Sequence, residues 1–208
     1  MRRVVLAMMT TLNGRLDDPD AWLTGLSEDH YQEIDRGYAT FDTILVGRVT
    51  AEEMYEYWPG AGDEEGASKS QQRMAEKMHL YKKYVFTTDP DLRLEWHNAE
   101  PVVVTNDDDI RSFVAELKAQ PGGDIHLSGG ARLAQTIVRL GLVDEFRFFV
   151  FPVYSPGATW FGQLDRRLTL ELTSSTAFEN GAVALYCEPT GGAGRAAKDE
   201  EHRGVGSR

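Results

Sequence analysis

The chain has 208 residues, 41% of them apolar, which is enough to bury one substantial core but too little for two full domains. Its net charge of −11 excludes a protein whose whole surface attracts nucleic acid or anionic lipid, because both depend on clustered lysines and arginines. The single cysteine, Cys187, excludes an intrachain disulfide and a cysteine zinc cluster, and it is typical of a cytoplasmic protein.

The first predicted element is a strand over Val4–Met9. Arg2 and Arg3 give this start some likeness to a signal peptide, but the apolar run is short and no cleavage site follows it. No run in the sequence approaches the roughly 18 to 20 apolar residues that a membrane span needs. We therefore expect neither a signal peptide nor a contact with a membrane.

Helix-like and strand-like segments then alternate as far as Leu142, which is typical of an α/β protein with a largely parallel sheet. Further strands are predicted over Thr43–Val46, Tyr84–Thr87, Val102–Thr105 and Ile125–Ser128. Helices are predicted over Glu28–Tyr38, Thr50–Tyr57, Gln71–His79, Ile110–Ala119 and Ala131–Leu140. We interpret Ser27 as the cap of the helix that begins at Glu28. The acidic triplet at 107–109 is interpreted in the same way for the helix that begins at Ile110, although it could also bind a metal.

Beyond Leu142 the pattern changes to long β-type runs joined by a hairpin-like turn at Glu179-Asn180-Gly181. The runs are Glu145–Tyr154, Leu168–Thr176 and Ala182–Cys187. We predict a mixed, mostly parallel sheet of about eight strands between two helix layers, with an antiparallel C-terminal part. The segment Pro59–Ser70 is predicted to be a loop, and residues 190–208 a disordered tail after a domain at 1–189.

Ligands of open α/β sheets bind beyond the carboxyl ends of the parallel strands, so the residues at those ends are candidates for a binding site. They are small, hydroxylated or basic here: Gly47, Arg48, Thr50, Thr87, Thr88, Thr105, Ser128, Gly129, Gly130 and Arg132. Glycines allow close approach to the backbone, helix starts offer free N–H groups, and the two arginines can bind phosphate oxygens. A Gly-Gly pair before a helix can also be only a tight turn.

Other motifs give weaker hypotheses. Ser128 at a strand-to-helix turn could act as a hydrolase nucleophile, but His126 stands where the strained elbow has glycine. The five histidines show no metal-ligand spacing, so we expect no catalytic metal.

A set of motifs along residues 3–188 resembles the dihydrofolate reductase-like superfamily, and within it the reductase domain of the riboflavin-biosynthesis deaminase-reductase. The motifs are Thr11-Leu12-Asn13-Gly14, Trp22-Leu23-Thr24-Gly25, the run at 42–50, the run at 84–88, Ser128-Gly129-Gly130-Ala131-Arg132-Leu133, the run at 141–146, Pro152 and Trp160-Phe161. Asn13 and Ser128 differ from the Asp and Glu of the riboflavin enzymes, which favours a stand-alone reductase with another substrate.

The resemblance implies a reductase that takes hydride from NADPH and acts on a small pterin-like or pyrimidine-like molecule. It implies that the turns at 47–50 and 128–133 hold the phosphates, that Thr87 and Thr88 lie near the adenosine, and that the protein is a homodimer through its late strands. Asn13 and Asp17 are candidate catalytic residues, and Trp22 and Tyr31 candidate substrate contacts. The acidic neighbourhood of Asp17 favours a solvated loop acid over a proton donor, and Trp22 could equally be a core residue. A protein that binds the nucleotide without turnover is the alternative.

Overall fold

The structure is a computed structural model, and it describes residues 1–16, 18–23, 25–63, 65–157, 159, 164 and 167–190. The strands are β1 (Val4–Thr11), β2 (Phe41–Gly47), β3 (Lys82–Thr87), β4 (Ala99–Val103), β5 (Asp124–Gly129), β6 (Glu145–Phe151), β7 (Leu170–Ala177) and β8 (Val183–Pro189). The helices are α1 (Glu28–Tyr38), α2 (Arg48–Ala61), α3 (Lys69–Leu80), α4 (Asp107–Ala119) and α5 (Ala131–Arg139), with a short 3₁₀ helix at Pro19–Ala21.

These strands form one sheet in the order β4-β3-β2-β5-β1-β6-β8-β7. All strands from β4 to β6 in that order run parallel, and β8 and β7 are antiparallel to their neighbours. The inner strands carry continuous apolar runs, such as Val4-Val5-Leu6 and Ile44-Leu45-Val46, because both of their faces are covered. The predicted mixed α/β sheet with an antiparallel end is confirmed.

Helices cover the two faces of the sheet and enclose a core on each side. Val114 of α4 and Ile137 of α5 belong to the cluster on one face. Ile34 of α1, Ala51 of α2 and Met74 of α3 belong to the cluster on the other. This is the predicted three-layer α/β/α architecture.

The predicted turn between the last two strands is also present. Phe178 N donates to Ala182 O, Gly181 N donates to Phe178 O, and Asn180 Oδ1 accepts from Ala182 N. Gly181 has a φ of 80°, in the left-handed region that favours glycine.

One loop prediction is wrong at its start. The sequence predicts a loop from Pro59, whereas α2 continues through Pro59 to Ala61. Ala61 is buried and Trp58 packs against the core, so tertiary packing of the last turn outweighs the loss of one main-chain hydrogen bond.

Strand β4 begins earlier than predicted and includes Pro101. It is an edge strand of the sheet, where a residue without an N–H group can be accommodated. It also ends before Thr105, which therefore lies in the turn that leads into α4 rather than in the strand.

A buried lysine joins the end of α3 to the segment before β4. Lys83 Nζ donates to His79 O (3.1 Å) and His97 O (2.9 Å) and lies 4.5 Å from the centre of the Trp96 ring. Burial lowers the pKa of Lys83 to about 8.

At the C-terminal end of the chain, Thr190 N donates to Thr169 O, and residues 191–208 of the predicted tail lie outside the described residues.

Candidate functional site

Two glycine-containing turns meet at the carboxyl edge of the sheet. Strand β2 ends at Gly47 and strand β5 at Gly129, and the two strands are neighbours with Val46 paired to Gly129. Gly130 N donates to Thr50 Oγ1 at 3.2 Å, so the turn after β5 is hydrogen-bonded to the first turn of α2. The structure therefore brings together the two turns that the sequence placed at separate strand ends. We call residues 47–50 and 129–133 the cradle.

Glycine is needed in the cradle for two reasons. A Cβ atom on Gly130 would lie 2.9 Å from Thr50 Oγ1, so any side chain there would push the turns apart. Gly129 has a φ of +110°, and a Cβ atom built on it would meet nothing within 4 Å. The main chain of Gly129 therefore borders open space at the point where the two turns meet.

Two helices begin at the cradle with their N–H groups uncapped by side chains. Gly47 is the N-cap residue of α2 and Gly130 that of α5, and neither helix has a side-chain cap. The first N–H groups of a helix need acceptors, and together with the helix dipole they favour an anion. The cradle is thus suited to phosphate oxygens in spite of the acidic composition of the chain.

The two arginines of the cradle differ in their surroundings. Arg48 Nη1 donates to both carboxylate oxygens of Glu52, at 2.7 and 3.0 Å, and both side chains are about half exposed. Arg132 lies exposed in the first turn of α5. Leu133 differs from both because its side chain is buried in the core.

The predicted threonines outside the cradle lie at or beyond the ends of β3 and β4, progressively further from it. Thr87 is buried at the end of β3, where its Oγ1 accepts from Asp89 N, and Thr88 is exposed. Thr105, beyond the edge strand, donates to Asp109 Oδ2 at 2.8 Å. Parallel strands lie about 4.8 Å apart, so Thr87 is one strand and Thr105 two strands away from β2.

The acidic triplet forms the first turn of α4 and contributes to its cap, while the N-cap residue itself is Asn106. Asp109 Oδ2 accepts from Thr105 N and Asn106 N, while Asn106 Oδ1 accepts from Asp108 N and Asp109 N. These main-chain hydrogen bonds hold the pKa of Asp109 below its usual value. Asp107 forms a two-pronged ion pair with Arg139.

The Ser128 hydroxyl donates to Met54 Sδ at 3.6 Å. A thioether cannot act as a general base, and His126 on the same strand makes its ring contacts to Tyr38 and Ala7 O instead. The hydrolase alternative therefore lacks a base in contact with its nucleophile.

A cavity of about 150 Å³ lies on the face of the sheet covered by α1, α2 and α3, and it includes part of β1, the strand next to β5. Its floor is formed by Ala7, Met8 and Met9 of β1, and its walls include Tyr31, Trp58 and Met74. Although β1 is an inner strand, its floor residues are only half-buried, because the cavity opens above them.

The other candidate site residues are placed differently. Asn13 holds the loop after β1, since its Nδ2 donates to Ser155 O and its Oδ1 accepts from Ser155 N and Thr11 Oγ1. Trp22 is 3% exposed and packs edge-on against Phe151, so core packing accounts for its position. Tyr31 lines the cavity. Asp17 and the Trp160-Phe161 pair lie outside the described residues.

One buried polar residue, in contact with Tyr38 of the cavity lining, was not identified as a candidate from the sequence. His126 is buried, stacked on Phe41 and edge-on to Tyr38, and its Nδ1 has no hydrogen-bond partner within the described structure. Burial lowers the pKa of His126 to about 4, so the ring is neutral at pH 7. Arg147 nearby is buried in an ion pair with Glu145 (2.6 Å).

The sequence profile of the RibD C-terminal domain matches residues 2–184. The chain belongs to the RibD C-terminal domain family. It is 31% identical over 189 residues to the Bacillus subtilis (strain 168) protein YyaP, covering 88% of this chain and 93% of YyaP. It is 28% identical to YwjB of the same strain, over 89% of this chain and 97% of YwjB. Both relatives are uncharacterized.

Solved structures share the fold of this family member at low sequence identity. A pyrimidine reductase-like protein of Corynebacterium diphtheriae aligns with a TM-score of 0.62 and 15% identity, over 90% of this chain and 92% of that one. Dihydrofolate reductase of Enterococcus faecalis, complexed with NADP(H), gives 0.59 and 13%, over 90% and 96%. The fold is therefore dihydrofolate reductase-like, as the resemblance implied.

A longer protein of Thermotoga maritima also aligns, with a TM-score of 0.61 and 14% identity, over 90% of this chain and 56% of that one. It is a diaminohydroxyphosphoribosylaminopyrimidine deaminase/5-amino-6-(5-phosphoribosylamino)uracil reductase.

Among the described residues of the present chain, none of the helices has the length and the apolar composition of a membrane span.

Proposed function

We propose that this protein is an NADPH-dependent oxidoreductase that transfers a hydride to a small heterocyclic molecule, such as a pterin or a pyrimidine. The observation that carries the proposal is the cradle, in which two neighbouring glycine turns and two helix N-termini meet beside an apolar cavity. Membership of the RibD C-terminal domain family and the likeness to an NADP(H)-bound dihydrofolate reductase support it.

The register of the sheet connects the cradle to the cavity. Leu6 of β1 pairs with Leu127 of β5, and Ala7 and Ser128 are the residues that directly follow this pair on the two adjacent strands. Adjacent strands are about 4.8 Å apart. A dinucleotide with its diphosphate in the cradle can therefore extend one ring across β1 to the mouth of the cavity, which leaves the cavity itself to the acceptor.

Each end of the cofactor has candidate partners. The N–H groups that begin α2 and α5 would hold the diphosphate, with Arg132 and Arg48 approaching its oxygens. Thr87 and Thr88 would lie toward the adenosine, one strand further out.

The bound nicotinamide supplies the hydride, and the chain contributes position and exclusion of water. The acceptor would carry a carbon double-bonded to nitrogen or oxygen, which would take up the hydride at carbon and one proton at the heteroatom, with bulk solvent outside the closed site as the source of that proton. Tyr38 borders the cavity, and burial raises the pKa of its hydroxyl above its usual value. Its hydroxyl therefore keeps its proton at neutral pH.

The proposal is tested by incubating the purified protein with NADPH and a panel of dihydropterins, aminopyrimidines and related heterocycles. Loss of NADPH absorbance that depends on both protein and acceptor is the expected result. Cradle variants of the chain, expected to bind NADPH more weakly and to oxidise it more slowly at limiting NADPH, serve as the control for contaminating reductases.

A second candidate, nucleotide binding without turnover, is favoured by one observation. The described residues that line the cavity include neither a carboxylate nor a histidine that could donate a proton. Saturable NADPH binding together with no oxidation across the panel would identify this case.

We also propose a homodimer formed through β7. This strand is at the edge of the sheet and exposes all of its residues except Leu170, which is half-buried. An unpaired edge is a template for pairing with another strand, and a second copy would cover it. Light scattering that gives the mass of one chain would contradict this assembly.

A further inference from the structure

The chemistry of the cavity narrows the class of molecule that the proposed reductase accepts. We infer that the acceptor is a flat, uncharged ring compound that carries no phosphate. This inference rests on the proposed function. The Thermotoga maritima reductase, by contrast, is named for a phosphoribosylamino-uracil substrate.

The lining of the cavity is apolar and aromatic. Among its described residues, none is charged, and the polar atoms come from tyrosines, Trp58 and Gln71. Tyr31, Tyr57 and Trp58 offer ring faces and edges to a flat molecule, on which aromatic rings pack favourably. A phosphate placed there would lose its hydration without gaining a cation.

The helix and the strand that line the cavity also carry basic residues near it in sequence, and these residues form ion pairs with carboxylates. Arg73 and Lys77 follow Gln71 on α3, but both bind Asp35 of α1, at 2.7 and 2.5 Å. Arg147, behind the cavity, is paired with Glu145. Recruiting any of them to a phosphate would break an existing ion pair.

The size of the cavity agrees with a compact acceptor. A cavity of about 150 Å³ is the size that holds a single benzene ring when enclosed. Tyr57 is 48% exposed and lies at the rim, so part of a second ring can extend outward past it. A ring system with a ribose and a phosphate would have to leave both groups outside.

Naphthol and naphthyl phosphate form a matched probe pair that differs only in the phosphate. Each is titrated calorimetrically into the protein after the cradle has been saturated with NADP⁺, so that phosphate cannot bind in the cradle instead. We expect naphthol to bind about tenfold more tightly or better. Equal or tighter binding of naphthyl phosphate, or no binding of naphthol, overturns the inference.

A pair of arginine variants places the effect in the cavity. Tyr57→Arg adds a cation at the rim and is expected to reduce the preference for naphthol at least about threefold. Tyr55→Arg is the control, because Tyr55 lies on the same helix with 40% exposure and does not line the cavity. Equal behaviour of the two variants also overturns the inference. The preceding NADP⁺ titration reports separately on the proposed function, since its failure concerns the cradle alone.

Discussion

Replacing Gly129 by alanine tests whether the open space at the cradle is a binding site. Gly129 has a φ of +110°, where a side chain costs about 1–3 kcal/mol of backbone strain. Its new methyl group would meet no protein atom within 4 Å, so it would project into the space reserved for the diphosphate. We expect a loss of stability of that size and a weakening of NADPH binding of about tenfold or more, or about 1.4 kcal/mol.

Gly66 provides the matched control for the strain. It has a φ of +89°, also has nothing within 4 Å of an added Cβ, and lies in the connection between α2 and α3. Thermal denaturation should show a similar destabilisation for Gly66→Ala and Gly129→Ala, while calorimetric titration with NADPH should separate them. Wild-type affinity in Gly129→Ala, or an equal loss of affinity in Gly66→Ala, would refute the reasoning.

Three further predictions concern buried and paired charges. Because the pKa of His126 falls from 6.5 to about 4 on folding, the unfolded chain takes up the proton first, and stability should fall by up to about 3 kcal/mol between pH 6.5 and 4. Denaturant titrations at several pH values should show a smaller fall of stability between pH 6.5 and 4 in His126→Phe. An unchanged fall would mean that another group causes the pH dependence. Lys83→Met should destabilise the fold by about 2–4 kcal/mol because the part-buried carbonyls of His79 and His97 lose their donor, whereas Lys82→Met, which removes an exposed ion pair, should change stability by under about 1 kcal/mol. Arg48→Ala should weaken NADPH binding severalfold and Glu52→Ala, which frees Arg48, should not; equal losses would show that Arg48 does not contact the cofactor.

The cradle was predictable from the sequence because its parts are local. A glycine at the end of an apolar strand and a helix directly after it are both legible in Gly47-Arg48 and Gly129-Gly130. That β2 and β5 are neighbours was not predictable, because strand order depends on contacts far apart in the chain. The hydrogen bond from Gly130 N to Thr50 Oγ1 is a consequence of that order.

The cavity could not be predicted for the same reason. Its floor at 7–9 is ordinary strand sequence, and Trp58 lies in a helical turn that Pro59 made look like a loop. Asn13 was singled out as a catalytic candidate, but three hydrogen bonds engage its amide in holding the loop after β1. Polar side chains in loops near a site serve structure as readily as chemistry, and only their partners distinguish the two roles.

The central claim is that the two turns form one diphosphate site, and a crystal structure of the protein grown with NADPH tests it most directly. We expect the diphosphate between residues 47–50 and 129–133, with the nicotinamide ring over Ala7 and Met8 at the mouth of the cavity. A diphosphate bound anywhere else on the molecule, or a cradle without NADPH at saturating concentration, would contradict the account.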